Sequence, residues 1–185
     1  MRTSDKTYAG IGSRDISKEI EELIYLVGKG LAKEGWHLNS GGATGSDFAF
    51  ERGCDEVAGT KTIFLPWKNF GNKWDRKASS SDIVSPSKNA VRMAKDLFEE
   101  FREVDKVKDY NPPDWHFLLF GRNMHQILGE NLNRKVCNVV CYTKDAKDVG
   151  GTRWALRIAR KHEIKIYNLG DLDTRKRFEK WLKIA

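Results

Sequence analysis

The sequence predicts an α/β fold, an open and mostly parallel sheet with helices on both faces. Three observations predict it. Short apolar runs alternate along the chain with longer segments of helical periodicity. The run VCNVVC at 136–141 is apolar at nearly every position, the pattern of a central parallel strand covered on both sides. Glycine-marked turns follow several of the short runs, where a strand hands the chain to a helix.

The elements follow in order. Residues 7–11 (TYAGI) form a short strand that runs into Gly12. In 17–34, Ile20, Leu23, Ile24, Val27 and Leu31 fall at the i, i+3, i+4, i+7 spacing of a helix lying on a sheet, with Ser17 as its cap and Gly35 beyond its end. A second strand at 36–39 breaks at Ser40-Gly41-Gly42, a helix covers 44–57, and KTIFL at 61–65 is a strand stopped by Pro66. The stretch 66–86 is polar and aromatic with no element of its own, a length typical of a lid or binding loop. Val91, Ala94, Leu97, Phe98 and Phe101 give 87–103 one apolar helical face. Pro112 and Pro113 enforce an extended turn, after which Asp114 caps a helix reaching about residue 131. The strand at 136–141, a helix from Gly151 or Thr152, a strand at 164–167 and a helix at 173–183 complete the chain.

The 185 residues suit one domain, 1–185, with no repeat or linker to divide it. A composition 39% hydrophobic and 32% charged is that of a globular protein rather than a disordered or fibrous one. No apolar run approaches the ~20 residues needed to span a bilayer, and the start lacks a secretory signal. Three cysteines (Cys54, Cys137, Cys141) are too few for a disulfide scaffold. A cytoplasmic protein without a membrane partner is expected. The net charge of +7 is uneven. Residues 152–185 hold ten Lys or Arg against four acids, leaving only +1 for the first 151 residues. Such a patch attracts polyanions, and equally suits a pair of solvated helices.

Three turns are candidates for chemistry: Gly12-Ser13-Arg14, the run from Ser40 through Gly41, Gly42, Ala43, Thr44, Gly45 and Ser46 to Asp47, and Gly150-Gly151-Thr152. In an open α/β sheet the turns after the strands share the carboxyl edge, where ligands bind. Glycine admits a phosphate close to the backbone, and the next helix presents N–H groups with no intrahelical partner. Ser13, Ser40, Thr44, Ser46 and Thr152 add hydroxyls. There is no G-x-G-x-x-G after the first strand and no Gly-Lys-Ser/Thr. Asp47 sits awkwardly in a phosphate cradle. It is open to three roles, bonding a ribose hydroxyl, acting as general base, or capping the helix, and capping is the ordinary one.

These motifs resemble the SLOG superfamily, the Rossmann-like group that holds the DprA/Smf recombination mediators and the LOG cytokinin-activating phosphoribohydrolases. The resemblance is to the DprA-type pattern as a stand-alone domain. It rests on Gly12-Ser13-Arg14, on the 40–47 run, on Gly121-Arg122-Asn123 with Gly129 beyond, and on Gly151-Thr152 with Ala155 and Ala159. It implies a nucleotide or phosphate pocket with Arg122 as its cation and Asn123 beside it, and a homodimer. Arginine opening a helix at a phosphate site binds it bidentately. The hydrolases carry P-G-G-x-G-T-x-x-E with a catalytic glutamate. Here that segment reads VGGTRWA, so Ala155 stands at the acid's place.

Trp67 and Trp74, interleaved with lysines in the 66–86 stretch, are candidates for stacking a base, or else pin the loop to the body. Cys137 and Cys141, four apart, share a strand face and belong to the core. No histidine or cysteine spacing suggests a metal, and no cofactor is expected. His125, close after Arg122, reaches the pocket or simply occupies a helix face. Three functions follow in order. The first is binding of a nucleotide-type small ligand without catalysis. The second is DprA-like single-stranded DNA binding through the same edge and the basic tail. The third is LOG-like hydrolysis of nucleoside monophosphates, with Asp47 or Glu51 as the acid.

Overall fold

The computed structural model describes residues 6–71, 82–104 and 111–184. Six strands, β1 (Thr7–Gly12), β2 (His37–Ser40), β3 (Lys61–Leu65), β4 (Asp82–Val84), β5 (Asn138–Tyr142) and β6 (Lys165–Asn168), form one sheet in the order β4-β3-β2-β1-β5-β6. Every neighbouring pair is parallel, so the sheet is wholly rather than mostly parallel. Helices α1 (Lys18–Lys33), α2 (Ser46–Asp55) and α6 (Leu172–Leu182) pack on one face. Helices α3 (Lys88–Val104), α4 (Asp114–Leu128) and α5 (Thr152–Lys161) cover the other.

Periodicity accounts for both layers. The α1 stripe buries Ile20, Leu23, Ile24, Val27 and Leu31 against Tyr8, Leu38 and Phe50, and Ser17 accepts the Ile20 N–H as its cap. Val139, Val140 and Cys141 of β5 are buried on alternating sides, which is why that strand reads as a continuous apolar run. Across the sheet, Phe98, Phe117, Phe120 and Trp154 form an aromatic cluster with centroids 4.6–6.4 Å apart.

Three local expectations are corrected. The 66–86 stretch contains β4, whose three residues pair with Ile63–Leu65 at the sheet edge. An element that short has no period to detect and exists through its pairing. Cys137 lies just before β5 and is exposed, so only Cys141 shares the core. Asp114 is the first residue of α4, whose cap is Pro113 with no side-chain bond. Among the described residues no helix is long and apolar enough to cross a membrane.

Candidate functional site

The chain leaves β1 for β2, β3 and β4 on one side, then returns to place β5 on the other. That reversal opens a crevice beyond the carboxyl ends of β1 and β5, the place where open α/β sheets bind ligands. A cavity of about 590 Å³ occupies it.

Its floor comes from the predicted turns. After β1, the Ser13 N–H donates to the Tyr142 carbonyl (2.9 Å), while the Ser13 carbonyl accepts from the Ser46 N–H (3.1 Å) and the Ser46 hydroxyl (2.9 Å). The 12–15 turn is thereby tied to β5 and to the start of α2. Gly45 caps α2 at φ +73°, and a Cβ there would meet the Arg14 and Ser13 carbonyl oxygens at 2.3 and 2.6 Å, so the fit excludes a side chain. Gly12, Ser13, Arg14, Ala43, Asp47, Arg122, Asn123, Gly150, Gly151 and Thr152 all line the cavity.

Ser40, Gly41, Gly42, Thr44 and Gly45 are not in its lining but in the turn behind it. Glu51 is buried there, accepting from the Ser40 hydroxyl (2.7 Å) and the Gly42 N–H (3.1 Å). It shapes the turn and does not reach the cavity, which corrects its candidacy as a hydrolytic acid. The Ser40 and Ser46 hydroxyls are likewise committed to protein acceptors.

Arg122 sits in the middle of α4 rather than opening a helix. Its Nη1 donates to the Gly41 carbonyl (2.9 Å) and approaches Asp47 Oδ2 at 3.4 Å, with both side chains almost wholly buried. A Cβ on residue 41 would lie 1.6 Å from that nitrogen, so glycine at this position is the condition for the pair to form. Asp47 therefore faces Arg122, and no side chain caps α2. Burial raises the Asp47 pKa above its ordinary value. Arg122, the N–H groups of Ala43 and Gly41, and Arg14 oppose that rise without overcoming it. Burial also lowers the Arg122 pKa, with Asp47 as the main opposing influence. Each partner pays a desolvation penalty that the other only partly offsets.

Three N–H donors on the lining side chains have no hydrogen-bond partner among the described residues: Arg122 Nε, Gln126 Nε2 and Arg153 Nε. Gln126 and Arg122 are 1% and 7% exposed. At α5, Gly151 provides the cap without a side-chain bond, and the first turn has no acid to neutralise its N–H groups. The Asn123 amide donates to the Gly151 carbonyl (3.4 Å), linking α4 to this turn.

One wall is aromatic and was not foreseen: Trp115, His116, Phe120 and Trp154 line it, with Trp115 half exposed. In the sequence Trp115 and His116 are positions in the first turn of a helix with nothing to set them apart. Only the docking of α4 beside α5 turns them toward the crevice. Arg153 and Gln126 were missed for the same reason. Trp67 does not line the cavity; it packs edge-on against Phe70 (5.2 Å), and Phe70 lies against the guanidinium groups of Arg14 (5.8 Å) and Arg122 (5.6 Å). Trp74 lies outside the described residues. His125 is structural: its Nε2 accepts from the Ser87 N–H (3.0 Å), and its Nδ1 faces the Gly129 carbonyl (3.1 Å). Ala155 lines the cavity.

A wholly parallel six-stranded sheet with its crevice at the β1/β5 reversal defines a Rossmann-like α/β protein, and solved structures share the fold. Over 95% of this chain and 85% of theirs, it matches the molybdenum cofactor carrier protein of Chlamydomonas reinhardtii at 17% identity and a TM-score of 0.51. DNA processing protein A from Helicobacter pylori matches at 18% identity and a TM-score of 0.55, over 97% of this chain and 74% of that one. The molybdenum cofactor binding protein of Rippkaea orientalis matches at 17% identity and a TM-score of 0.53, over 96% and 85%. These likenesses bear out the SLOG resemblance at the level of the fold. No protein-family model matches the sequence, and no curated protein matches it.

Proposed function

We propose that the crevice binds a nucleotide or nucleotide-derived ligand. Its phosphate meets the turns at Gly12-Ser13-Arg14 and Gly150-Gly151-Thr152 together with Arg122 and Arg153, and its ring lies against Trp115. The observation that carries this reading is the set of three buried N–H donors, on Arg122, Gln126 and Arg153, whose side chains line one cavity and which have no acceptor among the described residues. An unsatisfied buried donor costs about 1–3 kcal/mol, and an acceptor-rich anion recovers it. The volume of about 590 Å³ lies within the usual range for small-molecule sites.

The fold neighbours suit either a small cofactor or single-stranded DNA, since the former is what the carrier proteins hold and the latter what the Helicobacter protein binds. The distribution of the basic tail favours the small ligand. Arg153 borders the crevice, whereas Arg160 and Lys161 are paired with Asp148 and Glu100. Arg177 of α6 borders a different cavity. The reading is of binding without turnover: among the described residues the carboxylates in the lining are Asp15 and the Arg122-bound Asp47, and Ala155 stands at the hydrolases' glutamate position.

A thermal-shift panel tests it. A ligand present at about 100 times its dissociation constant adds about 2.7 kcal/mol, which is roughly 5–10 °C for a chain of this size. The expected result is a shift with one mono-, di- or cyclic nucleotide, none with a short oligonucleotide, and no release of free base. A shift with the oligonucleotide alone, falling steeply with salt at ~0.7 per phosphate neutralised in log K, replaces this reading with the DNA one.

A further inference from the structure

A second cavity lies on the opposite side of the sheet, beneath α6. This helix buries none of its residues fully, yet Phe178 stands edge-on to Tyr167 (5.9 Å) and to Trp181 (5.8 Å). Together with Tyr8 and Trp36 these rings wall a space of about 280 Å³, with Leu31 and Val140 completing its apolar surface. The wall is held in place. The Trp181 indole N–H donates to Glu34 Oε1 (3.0 Å), and the ring lies over Gly30, where a Cβ would come within 2.6 Å of it.

The polar groups at this cavity are unevenly committed. Glu34 is engaged with Trp181, and Thr174 with the helix-capping Asp171. Arg177 and the Asn138 amide, both in the lining, make no side-chain hydrogen bond or ion pair among the described residues. Among the described residues, five aromatic rings therefore surround a space with one carboxylate, Glu34, held by the Trp181 indole, and one guanidinium, Arg177, that has no partner. Its volume lies just below the usual range for ligand sites, which suits a compound of one or two rings rather than a nucleotide.

We propose that this cavity binds a small aromatic carboxylate, with the ring between the aromatic walls and the carboxylate on the Arg177 guanidinium and the Asn138 amide. Arginine's planar fork suits a carboxylate, and rings that meet edge-on or offset are favoured partners for another ring. The assignment is independent of the nucleotide crevice and gives Arg177 a role other than a contact to nucleic acid.

The test uses the full chain and the indole N–H signals of its tryptophans in nitrogen–proton NMR spectra. Naphthalene-2-carboxylate is titrated beside naphthalene-2-carboxamide, into wild type and Arg177→Ala. Arg177 is exposed, so its replacement leaves the fold intact. The expected result is saturable movement of the Trp36 and Trp181 signals, at least tenfold weaker binding of the amide, and a loss of about tenfold for the carboxylate in the variant. The thermal response to nucleotides is expected to be the same in both proteins, which separates failure here from failure of the crevice. Equal binding of acid and amide, indifference to Arg177→Ala, shifts at Trp115 and Trp154 instead, or no shift at all overturns the proposal.

Discussion

Replacing Arg122 by methionine leaves Asp47 buried without its counter-charge, and the structure sets what this does. The two side chains are 9% and 4% exposed, and their nearest atoms are 3.4 Å apart. Removing one member of such a pair costs about 3–5 kcal/mol, because the remaining buried charge loses its main counter-charge. For a chain of this length that is a fall in Tm of roughly 6–20 °C at neutral pH. The loss is pH-dependent, with a definite sign. Burial already raises the Asp47 pKa, and Arg122 is the largest influence lowering it, so the variant raises it further. A carboxyl whose folded pKa exceeds its unfolded value contributes stability below the unfolded value and loses it as pH rises through the folded one. The variant's deficit relative to wild type is therefore small near pH 4 and grows toward neutrality, leaving Arg14 and the N–H groups of Ala43 and Gly41 as the remaining support for the charge. Adding Asp47→Asn to Arg122→Met removes the orphaned charge and restores most of the Tm at pH 7. Melting curves of wild type, both single variants and the double variant between pH 4 and 8 measure all of this. A pH-independent deficit, or a double variant no more stable than Arg122→Met, refutes the reasoning.

Further outcomes follow from the same geometry. Gly45→Ala forces a side chain onto the Arg14 and Ser13 carbonyls at φ +73° and lowers stability by more than about 1 kcal/mol in urea titration, along with ligand affinity. Trp115→Ala weakens nucleotide binding by about 1–3 kcal/mol, the usual worth of one base–aromatic stack, and leaves the melting curve of the free protein almost unchanged, since this residue is half exposed. Burial pushes the Cys54 and Cys141 thiols up to about 11 and about 12, while Cys137 is exposed. One thiol of the native protein, at 137, therefore reacts quickly with Ellman's reagent at pH 8, and all three do so in denaturant.

The fold was legible because its signals are local. The α1 stripe, the apolar run of β5 and the glycine turns each state their own structure, and together they give an α/β sheet with its turns at one edge. The 12–14 and 150–152 turns could be placed at the site for the same reason. β4 was invisible, since three residues exist as a strand only through Leu65 and its neighbours. The aromatic wall escaped because which face of α4 meets the crevice depends on how α4 docks beside α5, and periodicity does not carry that. For Asp47 capping is the ordinary one of three roles the sequence leaves open, because the sequence shows its place at the start of α2 and not the arginine 75 residues away that it faces.

The most direct test of the central claim is an NMR titration with the nucleotide that gives the largest thermal shift, followed through the indole N–H signals of all six tryptophans. Binding in the crevice moves Trp115 and Trp154 and leaves Trp36 and Trp181 in place. Movement of Trp36 and Trp181 with Trp115 and Trp154 silent, or no response to any nucleotide, contradicts the account.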